Sequence, residues 1–90
     1  MSEPPHYTVR LSRQAEKRLT RLPHNLAGRL RKVLRALETE PRPHGVEPLR
    51  GHNLYRLRLG DWRIVYAIED MELLVLVVRI AARGEAYRDL

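Results

Sequence analysis

The chain has no cysteine, only two lysines (Lys17 and Lys32), and no apolar run longer than the six residues from Leu73 to Val78. Without cysteine, disulfides, thiolate nucleophiles and cysteine zinc sites are excluded. Six apolar residues are far too few to span a bilayer, and no signal-peptide pattern is recognisable ahead of Tyr7. The expectation is a cytoplasmic protein with no membrane association. Neither an internal repeat nor a low-complexity tract is found. His6, His24, His44 and His52 show no metal-ligand spacing and no paired carboxylates, so neither a metal nor a cofactor is expected.

What is present is arginine. Of 17 basic residues 15 are arginines, against 11 acidic ones, and the formal charge is +6. The guanidinium is a planar fork that grips phosphate bidentately and desolvates more readily than an ammonium. A small domain of this charge suits RNA, DNA or an acidic protein partner. A GC-rich genome, which favours arginine codons, would produce the same bias, and composition leaves both readings open. Ninety residues make one domain, 1–90, with residues 1–6 expected to be flexible. So short a chain buries only about 60–65% of its unfolded surface, which predicts modest stability.

Hydrophobic periodicity predicts the elements. Tyr7 to Leu11 alternates apolar and polar residues and reads as a strand. Ser12 is placed to cap a helix whose inner face holds Ala15, Leu19 and Leu22. Pro23-His24 breaks that helix. Asn25 is positioned to cap a second one, in which Leu26, Leu30, Val33, Leu34 and Leu37 form the apolar stripe. The short break predicts an antiparallel helical hairpin. Pro41, Pro43, Gly45 and Pro48 mark a loop. Strands are then expected over 54–59, 62–69 and 72–82, with turns at Gly60-Asp61 and Asp70-Met71; the apolar continuity of the last predicts a central position. The order β-α-α-β-β-β gives an α+β fold, a small antiparallel sheet packed on the helical hairpin.

Side chains alternate across a strand, so residue parity separates its faces. Arg56 and Arg58 point away from Tyr55, Leu57 and Leu59; Arg63 points away from Trp62, Ile64, Tyr66 and Ile68. Arg79 and Arg83 share a side, opposite Val78, Ile80 and Ala82. If the more apolar sets meet the helices, five arginines lie on the other face. Such a face is understood either as a phosphate-binding surface or as the wet side of a half-exposed sheet. Trp62 and Tyr66 read as core residues.

These residues resemble a known family. Leu49-Arg50-Gly51, Tyr55-Arg56-Leu57-Arg58-Leu59, Trp62-Arg63-Ile64-Val65-Tyr66 and the closing Arg83…Glu85-Ala86-Tyr87 occur in the order and spacing of the RelE/ParE toxins of type II toxin–antitoxin systems. The resemblance extends back to Tyr7 and is nearest to the RelE-like mRNA interferases. It implies an endoribonuclease that works in the ribosomal A site, where the RNA 2′-OH attacks its adjacent phosphate. Arg63 would then clamp the phosphate, Arg83 would serve the leaving oxygen, and Tyr87 would orient a nucleotide. Arg56 and Arg58 stand where some relatives carry lysines. Arginine is a poor proton acceptor, so Glu47 is the alternative base. Arg50 and Arg79 are expected RNA contacts. Ala81-Ala82 departs from the family pattern, in which a polar residue commonly precedes the arginine, and no further C-terminal helix is expected after Tyr87.

The resemblance also implies partners: an acidic antitoxin, the ribosome with its 16S rRNA, mRNA, and a toxin–antitoxin hetero-oligomer that binds operator DNA through the antitoxin. Two other functions share the pattern. One is a ParE-like poison of DNA gyrase that cuts nothing; the other is an inactive relative that binds only RNA or its antitoxin.

Overall fold

A computed structural model describes residues 5–84. Strand β1 (Thr8–Leu11) leads into α1 (Arg13–Arg21) and α2 (His24–Ala36). Then come β2 (Glu47–Pro48), β3 (Tyr55–Leu59), β4 (Trp62–Glu69), a 3-10 turn (Asp70–Glu72) and β5 (Leu74–Ala82). The five strands form one sheet in the order β1-β5-β4-β3-β2, with β5 and β4 in its interior. The α+β class and the interior place of the last strand are as read from the sequence, while β2 is an extra two-residue strand in what reads as a loop. The sheet, however, is mixed: β1 runs parallel to β5, Val9 opposite Val75, while the other pairs are antiparallel. The two helices between β1 and the hairpin strands carry the chain back to the starting end of the sheet, as a parallel pair requires.

The 3.6-residue stripes of the helices and one face of the sheet make the main core. Leu30 and Leu37 of the second helical segment meet Ile64, Tyr66, Val75, Val77 and Ile80, all buried. Ser12 caps α1 as expected, its Oγ accepting from the Ala15 N–H at 3.1 Å. Asn25 does not cap α2. Pro23 is the N-cap residue and Asn25 lies inside the first turn, because proline presets the backbone for helix entry and its carbonyl accepts from the Ala27 N–H at 2.9 Å. The last strand starts at Leu74 rather than at residue 72: the 3-10 turn ends in Leu73, whose φ of 50° lies in the left-handed region.

One irregularity decides the other face. Tyr66 pairs with Val77 and Val65 with Arg79, so Val78 is an extra residue in β5, a β-bulge. Val75 and Val77 face the helices at odd positions, and Ile80 at an even one. Without the bulge Arg79, Ala81 and Arg83 would follow Val77 onto the helix side. Val78 therefore does not share a face with Ile80, as simple parity predicts; it packs with Val65 and Ala81 in a small second cluster across the sheet. Beyond Leu11 the strand edge at the bulge is covered by α1. Ser12 Oγ donates to the Val78 carbonyl at 2.7 Å, and the Gln14 amide both donates to and accepts from the Ile80 backbone at 3.2 Å. The residues on either side of Arg79 are thus fixed by side chains of the first helix.

A polar cluster ties the 3-10 turn to the loop after α2. Arg42 forks onto Asp70 with contacts of 3.1 and 2.8 Å, Tyr7 Oη donates to Asp70 at 2.7 Å, and the Arg42 guanidinium lies 5.4 Å from the Tyr55 ring centre. The Arg42 fork, then the Tyr7 hydroxyl, hold the Asp70 carboxyl down from its ordinary 3.8 to about 2. A depressed folded pKa contributes stability that is full above the unfolded value and is lost as pH falls through the folded one. Wild type is therefore expected to lose this increment between about pH 4 and pH 2, and Asp70→Asn to lack it at every pH. Melting curves at pH 7, 3 and 2 check this; parallel pH profiles for the two proteins would contradict it.

Candidate functional site

The face away from the helices is organised in cross-strand rows. Glu47, Arg56, Val65 and Arg79 lie opposite one another along β2, β3, β4 and β5. The next row is Arg58, Arg63 and Ala81. Directly opposed arginines such as Arg58 and Arg63 repel, so this row weakens the sheet unless an anion sits over it.

Arg63 is the most enclosed of the cations, 9% exposed. Its Nη1 donates to the carbonyls of Gly60 at 3.2 Å and Trp62 at 3.1 Å, which fixes the guanidinium over the β3–β4 turn. That turn needs Gly60, whose φ is +59°. Arg83 follows β5 immediately, and its backbone N–H donates to the Asp61 carbonyl at 2.7 Å. The tight turn and the end of the bulged strand thus hold two arginines side by side. Together with Arg56, Arg58, Gly60, Asp61 and Gly84 they line a concavity of about 470 Å³. Among the described residues the lining thus holds four arginines and one acidic residue, Asp61. Guanidinium groups gathered in this way create a positive field, which is the surround that charge developing on a phosphate requires.

The remaining expected residues lie around this concavity or beyond the description. Glu47 forms an ion pair with Arg56 through Oε2 and Nη2 and is not among the lining residues. Arg50 is exposed in the turn closed by the His52 N–H and the Leu49 carbonyl at 3.2 Å. Arg79 lies two strands from Arg56 across Val65 and does not line the concavity. Tyr87 falls outside the described residues. Sequence reading misses Asp61, which has only the appearance of a turn residue and is the one acidic residue in the lining among the described residues. Trp62 and Tyr66 belong to the core side, and Arg18 lies over the Trp62 ring at 5.0 Å. Among the described residues no group of three His, Cys, Asp or Glu side chains is placed to hold a metal ion, and no helix is long and apolar enough to cross a membrane.

This fold and face have counterparts. The family model for the ParE toxin of the type II toxin–antitoxin system parDE matches residues 9–87. The chain belongs to the RelE/ParE superfamily of type II toxins. It is 36% identical to Toxin RelE of Mycobacterium tuberculosis over 91 residues, covering 98% of this chain and 93% of that one. A second toxin of the same organism, RelG, is 33% identical over 85 residues, covering 91% and 97% of the two chains. Among solved structures, the archaeal RelE–RelB complex of Pyrococcus horikoshii matches at a TM-score of 0.80 and 32% identity, covering 90% of this chain and 99% of that one. The RelBE2 toxin–antitoxin complex of Mycobacterium tuberculosis matches at 0.79 and 26%, covering 93% and 99%. Each of these two structures covers nine-tenths or more of the chain.

Proposed function

We propose that this toxin is an endoribonuclease that cleaves mRNA in the ribosomal A site. The observation that carries the reading is the concavity in which Arg56, Arg58, Arg63 and Arg83 converge. In the reaction the 2′-oxygen bonds to the adjacent phosphorus and the bond from phosphorus to the 5′-oxygen breaks. The 2′-OH proton passes to a base, and the leaving 5′-oxygen takes up a proton. Arg63, held by two carbonyls, suits the charge growing on the non-bridging oxygens; Arg83, beside it at the strand end, suits the leaving oxygen. Arg58 and Arg56 add positive field, Arg50 and Arg79 contact flanking RNA, and Tyr87 orients a nucleotide. Because arginine does not take up protons at neutral pH, the base is sought among carboxylates. Asp61 lies in the lining, whereas Glu47 is held by Arg56 outside it. Positioning of the RNA falls to the ribosome, since an open concavity of this size orients a flexible strand poorly by itself.

A RelE–RelB complex in two related structures supports an antitoxin partner for this chain too. Its toxin-binding segment is expected to be acidic, to match the arginine face, and the hetero-oligomer is expected to reach operator DNA through the antitoxin.

Purified protein added to a programmed translation reaction, with mapping of the mRNA ends, tests the reading. A-site cuts bearing 2′,3′-cyclic phosphate are expected, with little product from naked mRNA. The ParE family match favours a second reading, a gyrase poison; intact mRNA beside inhibited supercoiling would select it. In the same assay Asp61→Asn is expected to slow single-turnover cleavage by about 100-fold, the usual loss for a general base, and Glu47→Gln by less than about tenfold. The opposite order makes Glu47 the base. Two unaffected variants place the proton acceptor on the ribosome.

A further inference from the structure

The chain's net excess of positive charge does not come from the strands that carry the candidate site. The two helices and their junction, residues 13–36, contain eight Lys/Arg and one acidic residue, Glu16, a net +7. All other positions together hold nine basic and ten acidic residues, a net −1. The excess charge of the molecule is thus carried by the helical layer, on the side of the sheet away from the arginine concavity.

Within that layer the cations are solvated and lie together. Arg13, Lys17 and Arg21 recur at four-residue spacing along α1, and Lys32 and Arg35 occupy the face of α2 opposite Leu30 and Leu34; all five are exposed. Arg31 of α2 and Lys17 of α1 line one cleft together with Arg10, Glu16 and Thr20, over Val9, Leu11 and Leu19, so cations of the two helices adjoin rather than diverge. Like charges at this spacing destabilise a helix. Neither Glu16 nor any other described carboxylate forms an ion pair with these residues. The partner such a surface fits needs closely spaced negative charge. Among the described residues the exposed large hydrophobics are Met71 and Leu73, both at the far 3-10 turn and neither on a helix. A protein interface without an apolar anchor is weak, whereas a phosphate backbone binds by counterion release alone.

We infer that the outward face of the helical hairpin is a second nucleic-acid-binding surface, which takes the phosphate backbone of a double helix independently of the arginine concavity. It requires no cleavage, so it stands apart from the nuclease reading. Base readout plays no part, because exposed lysines and arginines with no recognition geometry position a backbone without reading sequence.

The test is equilibrium binding of fluorescent 20-base-pair RNA and DNA duplexes of one sequence, over a salt series, with no ribosome present. Wild type is expected to bind with a steep salt dependence. Replacing Arg13, Lys17, Lys32 and Arg35 together by Gln should lower the slope of log affinity against log salt by about 3 and weaken binding at least about tenfold at 0.1 M salt. All four side chains are exposed, and an unchanged melting temperature confirms that the variant is folded. The tighter-bound duplex identifies the source of the backbone. An Arg56→Gln/Arg58→Gln variant should keep most duplex affinity. The proposal is overturned if neither duplex binds or if the helix variant binds as wild type does. It also falls if the loss follows Arg56 and Arg58 instead, or if a poly-glutamate peptide of similar charge binds this face more tightly than either duplex.

Discussion

Removal of the Arg63 guanidinium is expected to slow single-turnover cleavage of A-site mRNA by about two to three orders of magnitude, the usual loss for one preorganised transition-state donor. The geometry explains why the effect should be large and why lysine should not restore it. Arg63 is 9% exposed and already anchored by the Gly60 and Trp62 carbonyls, so little reorganisation is needed when charge develops on the phosphate. A lysine keeps the charge but lacks the fork, and so cannot satisfy the turn and grip the phosphate at once. Arg63→Lys should therefore remain at least about tenfold slow. Arg83→Ala should lose activity on the same scale, because its place beside Arg63 is fixed by the backbone bond to Asp61. Arg10→Ala serves as the control. It sits on β1, far along the sheet from the concavity, and should be near neutral. Equal rates for Arg63→Ala, Arg83→Ala and Arg10→Ala would remove the concavity from the chemistry.

Much of this arrangement is legible in the residue order, and the failures have local causes. Alternation places Arg56, Arg58 and Arg63 correctly because β3 and β4 pair without interruption from Tyr55 to Trp62. Arg79 and Arg83 also reach the expected face, but only because Val78 is an unpaired insertion. In a run as apolar as Leu73 to Val78 nothing marks which residue leaves the ladder, so parity counting misassigns Val78 itself. The parallel pairing of β1 is equally hidden, since four residues of alternating pattern fit either edge direction and the choice is made by the helices between. The Arg42–Asp70 fork joins positions 28 residues apart, and the Glu47–Arg56 pair depends on a strand of two residues ending in proline. Pattern reading sees periods, not such single long-range contacts. Asp61 shows only turn propensity in the sequence, although the turn that leads into Arg63 and meets Arg83 also puts Asp61 in the lining.

The largest expected effect on stability belongs to Tyr66. Its side chain is fully buried, its ring stacks on Tyr55 with centroids 6.0 Å apart, and its hydroxyl donates to the Pro41 carbonyl at 2.8 Å. Burial pushes the phenol well above its usual range, so it stays neutral and a donor at all working pH values. One residue thus fills the centre of the core and pins the loop after α2 to the sheet. Tyr66→Ala should cost about 3–5 kcal/mol, as for other large aromatics cut to alanine. That is a major part of the roughly 5–15 kcal/mol that holds small domains folded. Tyr66→Phe keeps the ring and strands the Pro41 carbonyl, so it should cost about 1 kcal/mol, or roughly 4–8 °C in melting temperature for a chain this short. Urea unfolding reads both, as a lowered midpoint with an unchanged slope. The alternative role for an aromatic on this strand is stacking on RNA bases, and Tyr66→Phe separates the two. A core residue gives a lower midpoint and, once the protein is folded and saturating, an unchanged cleavage rate. A base platform gives an unaltered midpoint and a slower rate. The second pattern would move Tyr66 from the core to the RNA-binding surface, against its complete burial on the helix side of β4.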